Sequence, residues 1–194
     1  AGATPRAMSP LATGTDAHVI TAVEFSHDWP ENTGHSDEEP AEEEPAEGDH
    51  DHDHGDHGHV EGFNEHVWYD PHTMEHVAEA IAEELTELSP ADAATFETNL
   101  DEFTAGIAEL EASLATLDSA HGGTEIFVTE PVPLYLTDAA GLVNVAPEAF
   151  TEAVEEGQDV PPATLLEALK LLRSGTVKAV VANAQTGGAE TTEV

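Results

Sequence analysis

The chain has 194 residues and sets 41 Asp and Glu against 4 Lys and Arg, a formal charge of −37 with His neutral. A surface this acidic repels phosphate backbones and anionic lipid headgroups, which disfavours nucleic-acid binding and electrostatic membrane docking, and it attracts cations. With no cysteine, disulfides, thiolate catalysis, zinc ribbons and iron–sulfur clusters are excluded, so any metal is expected to be held by His, Asp, Glu or backbone oxygens.

The length suggests one domain, or one plus part of another. No run of apolar residues is long enough for a transmembrane helix. Residues 1–17 are small and polar, with Pro5, Pro10 and Gly14, and read as loop or frayed terminus. Residues 18–25 (HVITAVEF) are β-branched and apolar, and predict a strand or extended stretch. From Ser26 to His59 aliphatic residues almost vanish; such a segment buries too little apolar surface to offset its ordering entropy and reads as a mobile loop. Order is expected to return over 60–71 (VEGFNEHVWYDP).

Met74, Val77, Ala78, Ile81, Leu85 and Leu88 recur at helical spacing and predict a helix after Asp70-Pro71. Ser89-Pro90 interrupts it, with Ser89 as N-cap, Pro90 at the first helical position and Asp92 in the first turn. A second helix carries Phe96, Leu100, Phe103, Ile107, Leu110, Leu114 and Leu117 and ends by Gly122-Gly123. That stripe reads as helix-to-helix core rather than a dimer seam, because almost no Lys or Arg is present to pair flanking charges. A strand over 125–129 (EIFVT), a short helix around 133–140 stopped by Gly141, a loop-like Glu- and Pro-rich stretch over 143–163, a helix through Leu165, Leu166, Leu169 and Leu172, and a strand over 177–182 follow. This order implies an α/β unit with a parallel sheet.

Three groups of residues carry chemistry. Between Asp49 and His59 lie His50, His52, His54, His57 and His59, interleaved with four Asp. Imidazole suits zinc, copper and nickel, and the alternating acids favour cation capture with modest affinity and variable geometry. His66 precedes an apolar-aromatic run and a helix start, where its neighbours could hold it rigidly as a metal ligand; on local grounds it could equally pack beside Trp68. Glu130 lies at the C-terminal end of a predicted parallel strand, where open α/β sheets bind ligands; it could ligate a metal, cap the next helix or face solvent.

The segment NEHVWYDP resembles the Asn/Asp-x-His-x-Trp-x-x-Pro motif of the zinc/manganese substrate-binding proteins of bacterial ABC transporters, the cluster A-I (cluster 9) metal-binding lipoproteins. The His-rich acidic loop before it is similar to that of the zinc-specific members. SPADAATFETNLDEF, IFVTEPVPLYLTDAAGL, VKAVVANAQTGGAETTEV and the opening HVITAVEFS resemble further family segments in the same order, so the similarity runs from about Leu11 onward.

The resemblance implies an α/β, two-lobed periplasmic-binding-protein-like (chelatase-like) fold with a long helix bridging the lobes. Residues 1–25 would end the first lobe, 26–62 form the acidic His-rich mobile loop, 63–120 the motif and bridging helices, and 121–194 an incomplete second lobe. His66 and Glu130 would be high-affinity metal ligands, with His50, His52, His54, His57 and His59 a low-affinity collector. Glu130 stands where zinc binders usually have His and several manganese binders have Glu. The carboxylate hardens the site toward manganese, whereas the His-rich loop favours zinc, and the loop is weighed more. The family's first and last ligands find no counterpart, so the chain resembles an internal portion of a longer protein; two ligands alone do not hold a tetrahedral zinc ion.

The expected function is extracytoplasmic capture of zinc, alternatively manganese, by a non-enzymatic, monomeric binding protein for an ABC permease, at the membrane only through a lipid anchor outside this sequence. A zinc metallohydrolase is the rival: no HExxH occurs, Glu65-His66 lacks a second His four residues on, and His72 and His76 at i, i+4 on a helix could clamp a metal, although solvated helix-face histidines are commoner. An acidic adhesion or metal-buffering module is the third.

Overall fold

The computed structural model describes residues 17–30, 32 and 62–184. Two long helices dominate the first half. Helix α1 (Pro71–Leu88) starts as Asp70 caps it, its carboxylate accepting the His72 N–H at 3.2 Å and the Thr73 hydroxyl, with Pro71 at the first position where no N–H is needed. A single 3-10 turn (Pro90–Asp92), closed by the Ser89 hydroxyl on the Asp92 carboxylate at 2.8 Å, leads into helix α2 (Ala93–His121).

The expected interhelical core is only partly realised. Helix α1 has 18 residues and α2 has 29, which at 1.5 Å per residue gives about 27 and 44 Å. Helix α1 runs beside the first part of the α2 stripe, around an apolar groove lined by Val77, Ile81, Phe96 and Leu100, where Ile81, Leu85 and Phe103 stay exposed. Farther along, Leu114 is buried, but Leu110 and Leu117 are exposed.

The second half is an α/β layer. Strand β1 (Glu125–Val128) is central in a parallel sheet ordered β2-β1-β3, with β2 (Val143–Asn144) and β3 (Ala179–Val181) at its edges. Helix α3 (Leu134–Ala139) connects β1 to β2; α4 (Glu148–Glu155) and α5 (Pro162–Arg173) lie between β2 and β3. Gly141 makes the turn after α3: its φ is +69°, and a Cβ there would fall 1.8 Å from the Asp118 carboxylate. The core is Phe127, Phe150, Val154, Val160 and Ala168, with Phe127 and Phe150 edge-to-face at 5.2 Å. Burying such a ring contributes about 1.5–3 kcal/mol relative to exposing it.

Three expectations are corrected. Residues 18–25 form no strand; Ala22–Phe25 is a 3-10 turn, in which the Val23 carbonyl accepts the Ser26 N–H. Order extends past Ser26: Trp29 packs edge-to-face on Phe63 at 5.2 Å, and the Asn32 amide donates to the carbonyls of Glu24 and Ser26. The stretch over 143–163 contains α4, whose Phe150 and Val154 sit one turn apart on the core side, a short apolar face that its acidic residues obscure. Among the described residues no helix is long and apolar enough to cross a membrane.

Tyr135 of α3 ties the layers together, its hydroxyl donating to the Asn64 carbonyl at 2.9 Å. Burial pushes its phenol above the usual tyrosine value; a hydrogen bond with Ser26 partly reverses this, and the charges of Asp28 and Asp70 add to it. The native state thus holds this proton to higher pH than the unfolded chain, so stability is full below the ordinary tyrosine range and falls as pH rises toward the raised value. An ultraviolet titration is expected to find a late-ionising phenol that Tyr135→Phe removes; a late phase that is absent in the wild type, or that survives in Tyr135→Phe, would contradict this.

Candidate metal centre

The segment leading into α1 meets the C-terminal end of β1, and Asn64 makes the junction. Its side-chain N–H donates to the Pro131 carbonyl at 3.1 Å, while its side-chain oxygen accepts the His66 backbone N–H at 3.1 Å. These bonds fix which end of the amide is oxygen. That oxygen also lies 2.8 Å from His66 Nδ1, so Nδ1 carries the hydrogen and donates. In the neutral ring the lone pair is then on Nε2, the arrangement a metal-ligating histidine requires.

The rest of the local fold holds the ring still. Val67 is buried, the 3-10 turn Val67–Tyr69 follows, and Trp68 stands edge-on to the imidazole at 5.0 Å. The two local readings of His66, packed or poised to ligate, are therefore compatible: Trp68 packs one side of a ring whose Nε2 points elsewhere. That atom lies 3.3 Å from Oε1 of Glu155, at the last position of α4; the His66 side chain is 15% exposed and that of Glu155 35%.

Both border a cavity of about 270 Å³. One wall is the segment from Gly62 to His66 with Pro131 and Leu134; the other is α4, which presents Glu148, Glu152 and Glu155. With Glu65 also at the rim, the cavity is strongly acidic and suits a cation.

Glu130 directly follows Thr129 at the end of β1 and is 4% exposed. It does not line the cavity, although its neighbour Pro131 does. The Asn64–Pro131 bond thus links the His66 segment to the Glu130 segment. The Thr129 hydroxyl is buried and makes no hydrogen bond among the described residues, at the strand end where open α/β sheets place ligands. Among the described residues, no group of three or more His, Asp or Glu is arranged to hold a metal ion. His72 and His76 face each other at 4.5 Å on α1 and His76 Nδ1 lies 2.9 Å from Glu79 Oε2, but among the described residues they form no group arranged to hold a metal ion. His50, His52, His54, His57 and His59 lie outside the described residues.

Sequence reasoning assigned no role to Asn64, Glu155 or the other α4 acids. The signal for the acids was present: Glu148, Glu152 and Glu155 repeat at 4-3 spacing, one face of a helix, once Phe150 and Val154 are recognised as the opposite face.

A family model described as the periplasmic zinc-uptake complex component A matches residues 4–194. Solved structures share the fold. A structure of ZnuA has 21% identity and a TM-score of 0.52, over 66% of this chain and 50% of that one. A manganese-bound mutant of the periplasmic metal-binding protein of Candidatus Liberibacter asiaticus has 18% identity and 0.53, over 71% and 50%. The laminin-binding adhesin of Streptococcus agalactiae, also a mutant structure, has 18% identity and 0.53, over 66% and 47%. The chain spans about half the length of these structures. No match among curated proteins accompanies them.

Asn64→Ala is expected to release the ring tautomer. Nitrogen-15 NMR of the His66 imidazole should change from a single Nδ1–H form to a mixture of tautomers; an unchanged spectrum would contradict the role of Asn64.

Proposed function

We propose that this chain, which belongs to the periplasmic zinc-uptake complex component A family, captures a divalent transition-metal ion outside the cytoplasmic membrane and delivers it to an ABC permease. The observation that carries this reading is His66: its Nδ1–H is pinned by Asn64, and its Nε2 faces an acid-lined cavity. A ring held this way loses little further freedom when it binds an ion, and its hydrogen-bonded N–H strengthens the opposite nitrogen as a donor.

His66 and Glu130 are the proposed high-affinity ligands. Supporting Glu130 are its position at the end of β1 and the bond that joins its neighbour Pro131 to Asn64. His50, His52, His54, His57 and His59 would gather ions at low affinity. Zinc is the favoured cargo, because five collecting imidazoles suit a borderline-soft ion; manganese is the alternative, because carboxylates are hard donors. The work is binding rather than catalysis, in keeping with the family. The acidic field raises the local concentration of any divalent cation and speeds its arrival.

Zinc titrated calorimetrically into the chain is expected to show a tight phase and a weak multi-ion phase. His66→Ala should abolish the tight phase, and deletion of residues 35–59 should remove only the weak one. Equal tight affinity in wild type and His66→Ala would refute the site.

A further inference from the structure

We propose that Glu155, at the C-terminal end of α4, is itself a ligand to the cation that His66 holds. This rests on the reading of His66 as a metal donor and adds a donor that neither motif nor strand position suggests.

The geometry begins with what faces what. Asn64 fixes the proton on Nδ1, so the neutral ring offers a lone pair at Nε2. Opposite it stands Oε1 of Glu155, which in an ionised carboxylate is an acceptor only. With Nε2 protonated the two form an ion pair; with Nε2 deprotonated both are acceptors, and a divalent cation can take the place of the proton between them. Their separation is 3.3 Å, longer than a charge-assisted hydrogen bond of about 2.7–2.9 Å. Metal–nitrogen and metal–oxygen bonds of about 2.0–2.2 Å at a tetrahedral angle place the two donors about 3.3–3.5 Å apart. The pair is therefore spaced as one edge of a coordination tetrahedron.

The position of Glu155 on its helix adds to this. Phe150 and Val154 anchor α4 in the core, so the helix cannot drift away from His66 without opening the centre of the domain. Glu155 itself is partly exposed at the cavity rim, where an arriving ion would meet its carboxylate before the more enclosed His66. The oxygen it supplies makes the donor set harder than imidazoles alone would, so the site should accept manganese as well as zinc.

Zinc titrated into the wild-type chain and into Glu155→Gln, Glu156→Gln and His66→Ala tests the assignment. Glu156 loses the same charge one residue away, but it pairs with the Gln158 amide at 2.7 Å and does not border the cavity. Loss of a ligand should weaken tight binding about tenfold or more in Glu155→Gln, with Glu156→Gln close to wild type. In the cobalt-loaded protein, the visible d–d absorption should change in Glu155→Gln and not in Glu156→Gln. Should Glu155→Gln fail to fold, Glu155→Asp keeps the charge, withdraws the oxygens by one methylene, and should likewise weaken binding. Tight affinity unchanged in either Glu155 variant, or weakened equally in Glu156→Gln, overturns the ligand role while His66→Ala still loses the site. Wild-type affinity in His66→Ala overturns the underlying reading of His66 instead.

Discussion

One side-chain amide joins the halves of the site. Asn64 grips the Pro131 carbonyl with its N–H and, through its oxygen, the backbone and ring of His66; its own carbonyl receives the Tyr135 hydroxyl. Each bond alone is modest, about 0.5–1.5 kcal/mol net. Together they do something a single bond cannot: they attach the segment before α1 to the end of β1 and choose the tautomer of the imidazole. The orientation of Nε2, the cavity it borders and its approach to α4 all follow from that junction.

Electrostatics gives the junction its consequence. A formal charge of −37 is a burden on a compact state, since like charges repel. Over longer distances salt screens this field, with a Debye length of about 8 Å at physiological ionic strength. Within the cavity the distances are shorter, and Glu65, Glu148, Glu152 and Glu155 share one small volume with His66. A divalent cation in that cavity would relieve the repulsion among them. Repulsion in the fold and attraction for a cation thus have a common origin in the same carboxylates.

Much of this was legible from residue order. The two long helices, the helix start after Asp70-Pro71, the Ser89-Pro90 break, the strand from Glu125 and the Gly141 turn follow from local rules of periodicity, capping and φ, and the structure contains each of them. His66 stood out because aromatic and helix-starting neighbours surround it. What depended on tertiary contact was hidden. The α2 stripe implied a full interhelical core, yet Ile81 and Leu85 of α1 and Phe103 and Leu110 of α2 stay exposed, which no local pattern on α2 records. Trp29 orders the start of a polar segment through Phe63, more than thirty positions away in sequence. Helix α4 was masked by its own acids, and with it Glu155; only the pairing of α4 against His66 gives that carboxylate a meaning. Thus His66 was singled out from the family motif that its segment resembles, whereas Glu155 is brought to notice only by its neighbour in space.

The most direct test is anomalous diffraction at the zinc edge from crystals of the metal-loaded chain. A strong peak within bonding distance of His66 Nε2, on the side of the ring that Glu155 faces, is the expected result. A set of peaks elsewhere with none at Nε2 would contradict the assignment of this cavity as the metal centre.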